Sequence, residues 1–247
     1  MVKVLFAGPS FAGIDLAGAT PQLGDIALRP PAAHGDLTRA VLEGATAIGL
    51  VDGLFEAVAA VWHKEILYAL SHGVRVLGAA SMGALRAAEC AALGMEAVGP
   101  IAHSYLDGSR DDDADVGLLH APAEFGYLPL TEPMVDVEAT LARLVGLGLI
   151  APDEHARILT HARAIFFCDR TVDLIVPPAL AQRRDAILDA YETHRVAQKQ
   201  ADALALVERL RALPDRRDFQ PGFALAESPM WRRRLAALTA ESHVTAA

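Results

Sequence analysis

Three apolar runs, each stopping at a turn of small residues, constrain this chain most. Residues 2–7 end at Gly8-Pro-Ser-Phe-Ala-Gly13, residues 46–51 at Asp52-Gly53, and residues 74–77 at Gly78-Ala-Ala-Ser-Met-Gly83. Short β-rich runs bounded by turn residues read as buried strands. Residues 54–72 after the second run, closed by Gly73, read as a helix, and so do residues 81–93 after the third, closed by Gly94. Alternation at this spacing predicts parallel strands joined by right-handed crossovers. Sites in such sheets gather where strands finish, so the turns at Gly8, Asp52 and Ser81 are expected along one edge.

The rest of the chain fills in around that pattern. Residues 25–28 suit a short second strand before Arg29-Pro-Pro31, and Gly35-Asp36 offers an N-cap for a helix over 37–43. Residues 99–105 read as another short strand, and 106–115 form an acidic loop. Beyond it, helical periodicity marks 134–147, 153–168, 178–193, 196–212 and 228–240, interrupted by the linker 213–222. The expected fold class is α/β, a mostly parallel sheet flanked by helices with a helical C-terminal region. Residues 1–150 read as the core carrying the active site, and 151–247 as a helical extension packed on it.

Composition narrows the function classes. The 247 residues are 53% hydrophobic, enough for a substantial core, and the net charge of −9 argues against nucleic acid as a main partner. Two cysteines, Cys90 and Cys168, make no disulfide framework and read as core residues. No apolar run reaches membrane-spanning length, and the first apolar run meets a turn too soon to be a signal h-region. The expectation is a cytoplasmic protein bound to no membrane. Of the 22 basic residues only three are lysine: Lys3, Lys64 and Lys199. A buried lysine can lose its proton and an arginine cannot, which draws attention to Lys64 beside His63 and Glu65 in Val61-Trp-His-Lys-Glu-Ile66.

Ser81 stands at a strand-to-helix turn, a position that suits a nucleophile, an anion-binding loop or plain packing. Lys64 can serve it as base only if its helix starts near Val61; a start at Leu54 puts the amine two turns lower. The Met82 N–H is an oxyanion donor candidate, with a second from the Gly8 loop. Ser10 is a competing serine, His63 a competing base, and Asp52 an orienting group or a turn starter. Arg86 and Glu89 have pairing spacing. Gly8 and Gly13 have phosphate-loop spacing without the following Lys-Ser or Lys-Thr, so nucleotide binding ranks last. Asp111, Asp112, Asp113 and Asp115 with His120 match no trusted metal spacing; they read as a solvated or partner-facing loop, and neither metal nor cofactor is expected.

Ile48-Gly-Leu-Val-Asp-Gly53, Val61-Trp-His-Lys-Glu-Ile-Leu67, the stretch from Val76 through Ser81 to Glu89, and the Asp112-Asp113 region with His120 together resemble the TfuA family. The resemblance extends from Gly8-Pro-Ser10 to Phe166-Phe-Cys-Asp-Arg170. It implies a partner of YcaO enzymes, which use ATP to activate a peptide backbone amide for thioamidation. It also implies hydrolysis of a thiocarboxylated ThiS-like sulfur carrier, releasing sulfide through a Ser-Lys pair, with the precursor peptide as a further contact. Carried onto this chain, the pair falls on Ser81 and Lys64. Gly8, Ser10, Asp52, His63, Met82 and Arg86 then line the site, and Asp112, Asp113 and His120 face partners. The alternative is a non-catalytic adaptor that binds YcaO and improves its hold on the peptide.

Overall fold

The computed structural model describes residues 2–14, 26–54 and 58–245, the last four by backbone alone. Asp25 of the expected second strand and residues 55–57 of the expected helix 54–72 lie outside the described residues. Five strands pair in parallel: β1 (Val2–Phe6), β2 (Ile26–Arg29), β3 (Ala45–Leu50), β4 (Arg75–Gly78) and β5 (Glu96–Ala97), in the spatial order β2-β1-β3-β4-β5. The α/β reading with a helical C-terminal region holds. No described helix is long and apolar enough to cross a membrane.

Strand alternation builds two cores. Val4, Phe6, Ile48, Leu50 and Val76 pack on one face with helices α1 (Asp36–Leu42), α2 (His63–Ser71) and α3 (Met82–Cys90). Leu5, Ala47 and Leu77, one residue out of phase, pack on the other. That second face is covered by α9 (Gln198–Arg211) through Ala203, Leu206, Val207 and Leu210. A Cβ at Gly49 would lie 2.6 Å from Leu206 Cδ2, so α9 seats closely on β3 and any side chain there would have to turn the leucine aside. Leu206 and Leu210 are fully buried, each stabilising the fold by about 2 kcal/mol. The sheet is thus closed on its second side by residues some 150 positions downstream, and the N-terminus of α9 reaches the edge where the strands end.

In chain order between α3 and α9 come α4 (Gly99–Leu106), α5 (Met134–Gly146), α6 (Pro152–Ala164), α7 (Val172–Ile175) and α8 (Arg184–Thr193); α10 is Pro229–Thr245. A separate core joins α5 to α8 through Met134, Leu141, Ile158 and Ile187. Three expected boundaries move for identifiable reasons. Residues 99–105 form helix α4 rather than a strand: Gly99 takes φ +84°, Pro100 fits the first turn, and Asp202 Oδ2 accepts the Ile101 N–H at 2.9 Å. The helix after Gly53 starts at His63, because Trp62 is extended and the Glu65 carboxylate reaches back to its N–H at 3.2 Å. Helix α6 stops at Ala164, where buried Arg170 donates to the carbonyls of Ala162 and Ile165, each at 3.0 Å.

Candidate active site

The turn from β4 into α3 is compressed against its neighbours. A Cβ on Gly78 would lie 2.0 Å from the Gly83 carbonyl oxygen, and one on Gly83 would lie 1.8 Å from the Leu50 carbonyl oxygen. Both glycines of Gly78-Ala-Ala-Ser-Met-Gly83 are therefore sterically required. Ala80 is held at φ +64°, a left-handed conformation that costs a non-glycine residue about 1 kcal/mol, and the Ser81 N–H donates to Ala79 O at 2.7 Å across it. Ser81 takes the N-cap position of α3 but its hydroxyl makes no capping bond. The hydroxyl is turned toward a lysine instead.

That lysine is Lys199, the second residue of α9. Its Nζ donates to Ser81 Oγ at 3.1 Å and to the Val116 carbonyl at 2.7 Å. Lys199 is 3% exposed, and burial pushes its amine below the ordinary lysine value, against the opposing charges of Asp52 and Asp136. Asp136 of α5 fixes the backbone: its Oδ1 accepts the Lys199 N–H at 2.9 Å. The carboxyl of Asp136 is itself pushed up to about 6 by burial. A serine hydroxyl in contact with a desolvated amine is an arrangement suited to proton abstraction and nucleophilic attack.

Asp52, at the end of β3, serves the first loop. Its Oδ2 accepts the N–H groups of Gly8 at 2.8 Å and Ser10 at 3.2 Å, and its Oδ1 accepts the Ser10 hydroxyl at 2.7 Å. Ser10 is thus held to a carboxylate and Ser81 to an amine. The convergence of the Gly8, Asp52 and Ser81 turns at one edge follows the topological expectation. A cavity of about 420 Å³ opens there, lined by Ser81, Lys199, Asp52 and His120 along with apolar Leu119 and Phe167.

Other expected site residues lie elsewhere. Lys64, in the first turn of α2, donates to the Ala226 carbonyl and is only half-buried. The lysine paired with Ser81 is therefore Lys199 rather than Lys64, because α2 turns its third residue inward: Glu65 is fully buried and accepts from Gly35 N–H at 2.9 Å. His63 instead meets Glu89 at 2.8 Å, and Arg86 donates to Glu89 at 2.6 Å and to the Val61 carbonyl at 2.9 Å. Asp112 caps a short turn through Ala114 N–H at 2.9 Å, and Asp113 borders a separate surface hollow with Arg110. His120 reaches the Ser81 cavity. Among the described residues no group of three or more His, Cys, Asp or Glu side chains converges as a metal set.

Lys199 was legible only in part and Asp136 not at all. The scarcity of lysine nominates three amines, Lys199 among them, but nothing local distinguishes Lys199 on a helix of mixed polarity from a solvent-facing residue. Asp136 carries no signal, being one acidic residue in a helix first turn.

The family model described as TfuA-like protein matches residues 52–171, a span that holds Asp52, Ser81, Asp136 and His120 and stops short of Lys199. No curated protein matches the chain.

Proposed function

Because residues 52–171 match the TfuA-like family model, we propose that the chain works as members of that family are thought to, beside a YcaO enzyme in peptide thioamidation, hydrolysing the thiocarboxylated C-terminus of a ThiS-like carrier. The observation that carries the reading is the 3.1 Å contact between Ser81 Oγ and the buried amine of Lys199. Neutral Lys199 takes the hydroxyl proton as Ser81 Oγ bonds to the thiocarboxylate carbon; the C–S bond then breaks, the proton passes from Nζ to the departing sulfur, and hydrosulfide leaves with Lys199 neutral again. Water next attacks the resulting ester, giving its proton to Lys199, and the carrier carboxylate departs as Ser81 recovers its proton. The Met82 N–H, opening α3 beside Ser81, is the proposed donor to the oxyanion. Sulfur leaves far more readily as hydrosulfide than as the dianion, and the proton it takes from Lys199 restores the neutral base that deacylation needs.

The direct experiment mixes the purified protein with thiocarboxylated ThiS-like carrier and measures sulfide. Ser81→Ala is expected to lose release by about a thousandfold; release at the parental rate sinks the hydrolase. The adaptor reading draws on exposed apolar residues in the segment after His120, Phe125, Leu128 and Leu130, which offer a protein contact. It predicts that Ser81→Ala still supports thioamidation by YcaO when sulfide is supplied, whereas Phe125→Asp does not.

A further inference from the structure

Two cavities meet at Lys199. The first, about 420 Å³, reaches both Ser81 and Lys199. The second, about 300 Å³, reaches Lys199 but is not lined by Ser81. Pro9 and Leu118 line both and form the partition between them. The nucleophile is open to one side and its base to two.

Their walls differ in degree. Besides its polar groups the first carries Leu54, Val116, Leu119 and Phe167, which suit a chain segment that must exclude bulk water. The second has Leu128 and two further prolines on its wall too, but it carries a larger polar share, from Ser10, Glu132, Asp136, Arg195 and Gln200. Of these, Glu132 pairs with Arg195, Asp136 holds the Lys199 backbone, and Gln200 Nε2 donates to Ala12 O at 3.0 Å. Polar groups gathered on one wall, each with lone pairs or N–H groups beyond those bonds, give a water the two or more partners it needs.

The proposed chemistry sets a conflict that this arrangement resolves. After sulfide leaves, the carrier is tethered through its last carbonyl to Ser81 Oγ and fills the first cavity, yet the ester must still meet water. We propose that the second cavity is the water conduit for deacylation, supplying Lys199 from behind while the carrier occupies the front; this rests on the thiocarboxylate reading above. The amine has three positions beyond its chain carbon. Ser81 Oγ and Val116 O take two, and the third is where the incoming water binds. Its oxygen bonds to the acyl carbon, one of its protons passes to Nζ, the Oγ–C bond breaks, and Lys199 returns a proton to Ser81.

The test plugs each cavity separately. Ala197 is exposed and lines only the second cavity, and Leu119 is exposed and lines only the first. With thiocarboxylated ThiS-like carrier as probe, Ala197→Trp is expected to keep the first-turnover burst of sulfide and slow steady-state release by roughly tenfold. A covalent carrier adduct on Ser81 should accumulate and be visible by intact mass. Leu119→Trp should instead slow the burst. Gln200→Trp, a second plug on the same wall, should match Ala197→Trp and guards against one variant misfolding. Parental turnover without adduct in both plugged variants, or equal slowing of burst and turnover, overturns the conduit. Ser81-independent sulfide release overturns the hydrolase beneath it, a separate outcome read from Ser81→Ala alone.

Discussion

Lys64 and Lys199 hold the same local position, the second residue of a helix, and meet opposite fates. Helix α2 turns Glu65 inward and leaves Lys64 on an outlying carbonyl, whereas α9 turns Lys199 inward against Ser81. Residues in a first turn point about 100° apart, so the docking of the helix selects which of them is buried. Helix α2 is rotated by the demand of Gly35 and Trp62 for the Glu65 carboxylate, and α9 by Leu206 and Leu210 seated over Gly49. Local sequence sets what stands at a helix start, and distant packing decides what it touches.

The sharpest way to break this comparison is kinetic. Lys199→Ala should lower sulfide release from thiocarboxylated carrier by about a thousandfold while Lys64→Ala stays within about twofold, as expected for loss of a general base against loss of a surface contact. Equal losses in the two variants would erase the distinction. Next in size is tolerance of arginine, which the chain otherwise prefers. Lys199→Arg should cost about 3 kcal/mol in urea unfolding, since a guanidinium overfills the site and cannot shed its charge, while Lys64→Arg should change stability by less than about 0.5 kcal/mol.

A third measurement probes the buried surroundings of Lys199 by pH. Burial raises the Asp136 carboxyl from 3.8 to about 6, so in that window the folded protein binds more protons than the unfolded chain. Stability should therefore fall as pH rises from about 4 to 6, by something on the order of 2 kcal/mol from this group. Asp136→Asn, which keeps an acceptor for the Lys199 N–H, should flatten the slope; an unchanged slope would mean that Asp136 is ordinarily solvated. The smallest effect concerns the turn that aims Ser81 at one lysine rather than the other. Ala80→Gly should raise the melting midpoint by an amount equivalent to about 1 kcal/mol, because glycine adopts φ +64° without strain.

Much of the fold was legible because its signals are short in range. The strands at 2–6, 45–50 and 75–78 follow from β-rich runs, and the Ser81 turn from two glycines whose missing Cβ atoms let α3 press on the strand ends. The approach of Gly8, Asp52 and Ser81 along one edge followed from parallel topology. The helix at 99–106 was missed because eight residues with only Ile101 and Ala102 buried give no clear period; its cap comes from Asp202, far along the chain. Lys64 was favoured over Lys199 for a related reason. Proximity in sequence to the Ser81 helix is visible in a linear reading, and proximity across the sheet is not.

The sequence by itself determined which runs are buried, where they stop, and that a serine stands on a turn of small residues. Those properties depend on hydrophobic periodicity and on steric limits within a few residues. Only the tertiary structure decided which amine meets Ser81. That choice depends on how α9 docks on the face of the sheet opposite α2, a packing event between residues some 150 positions apart. Lys199 comes to Ser81 because Leu206 and Leu210 are buried on β3, and its own first turn says nothing of it.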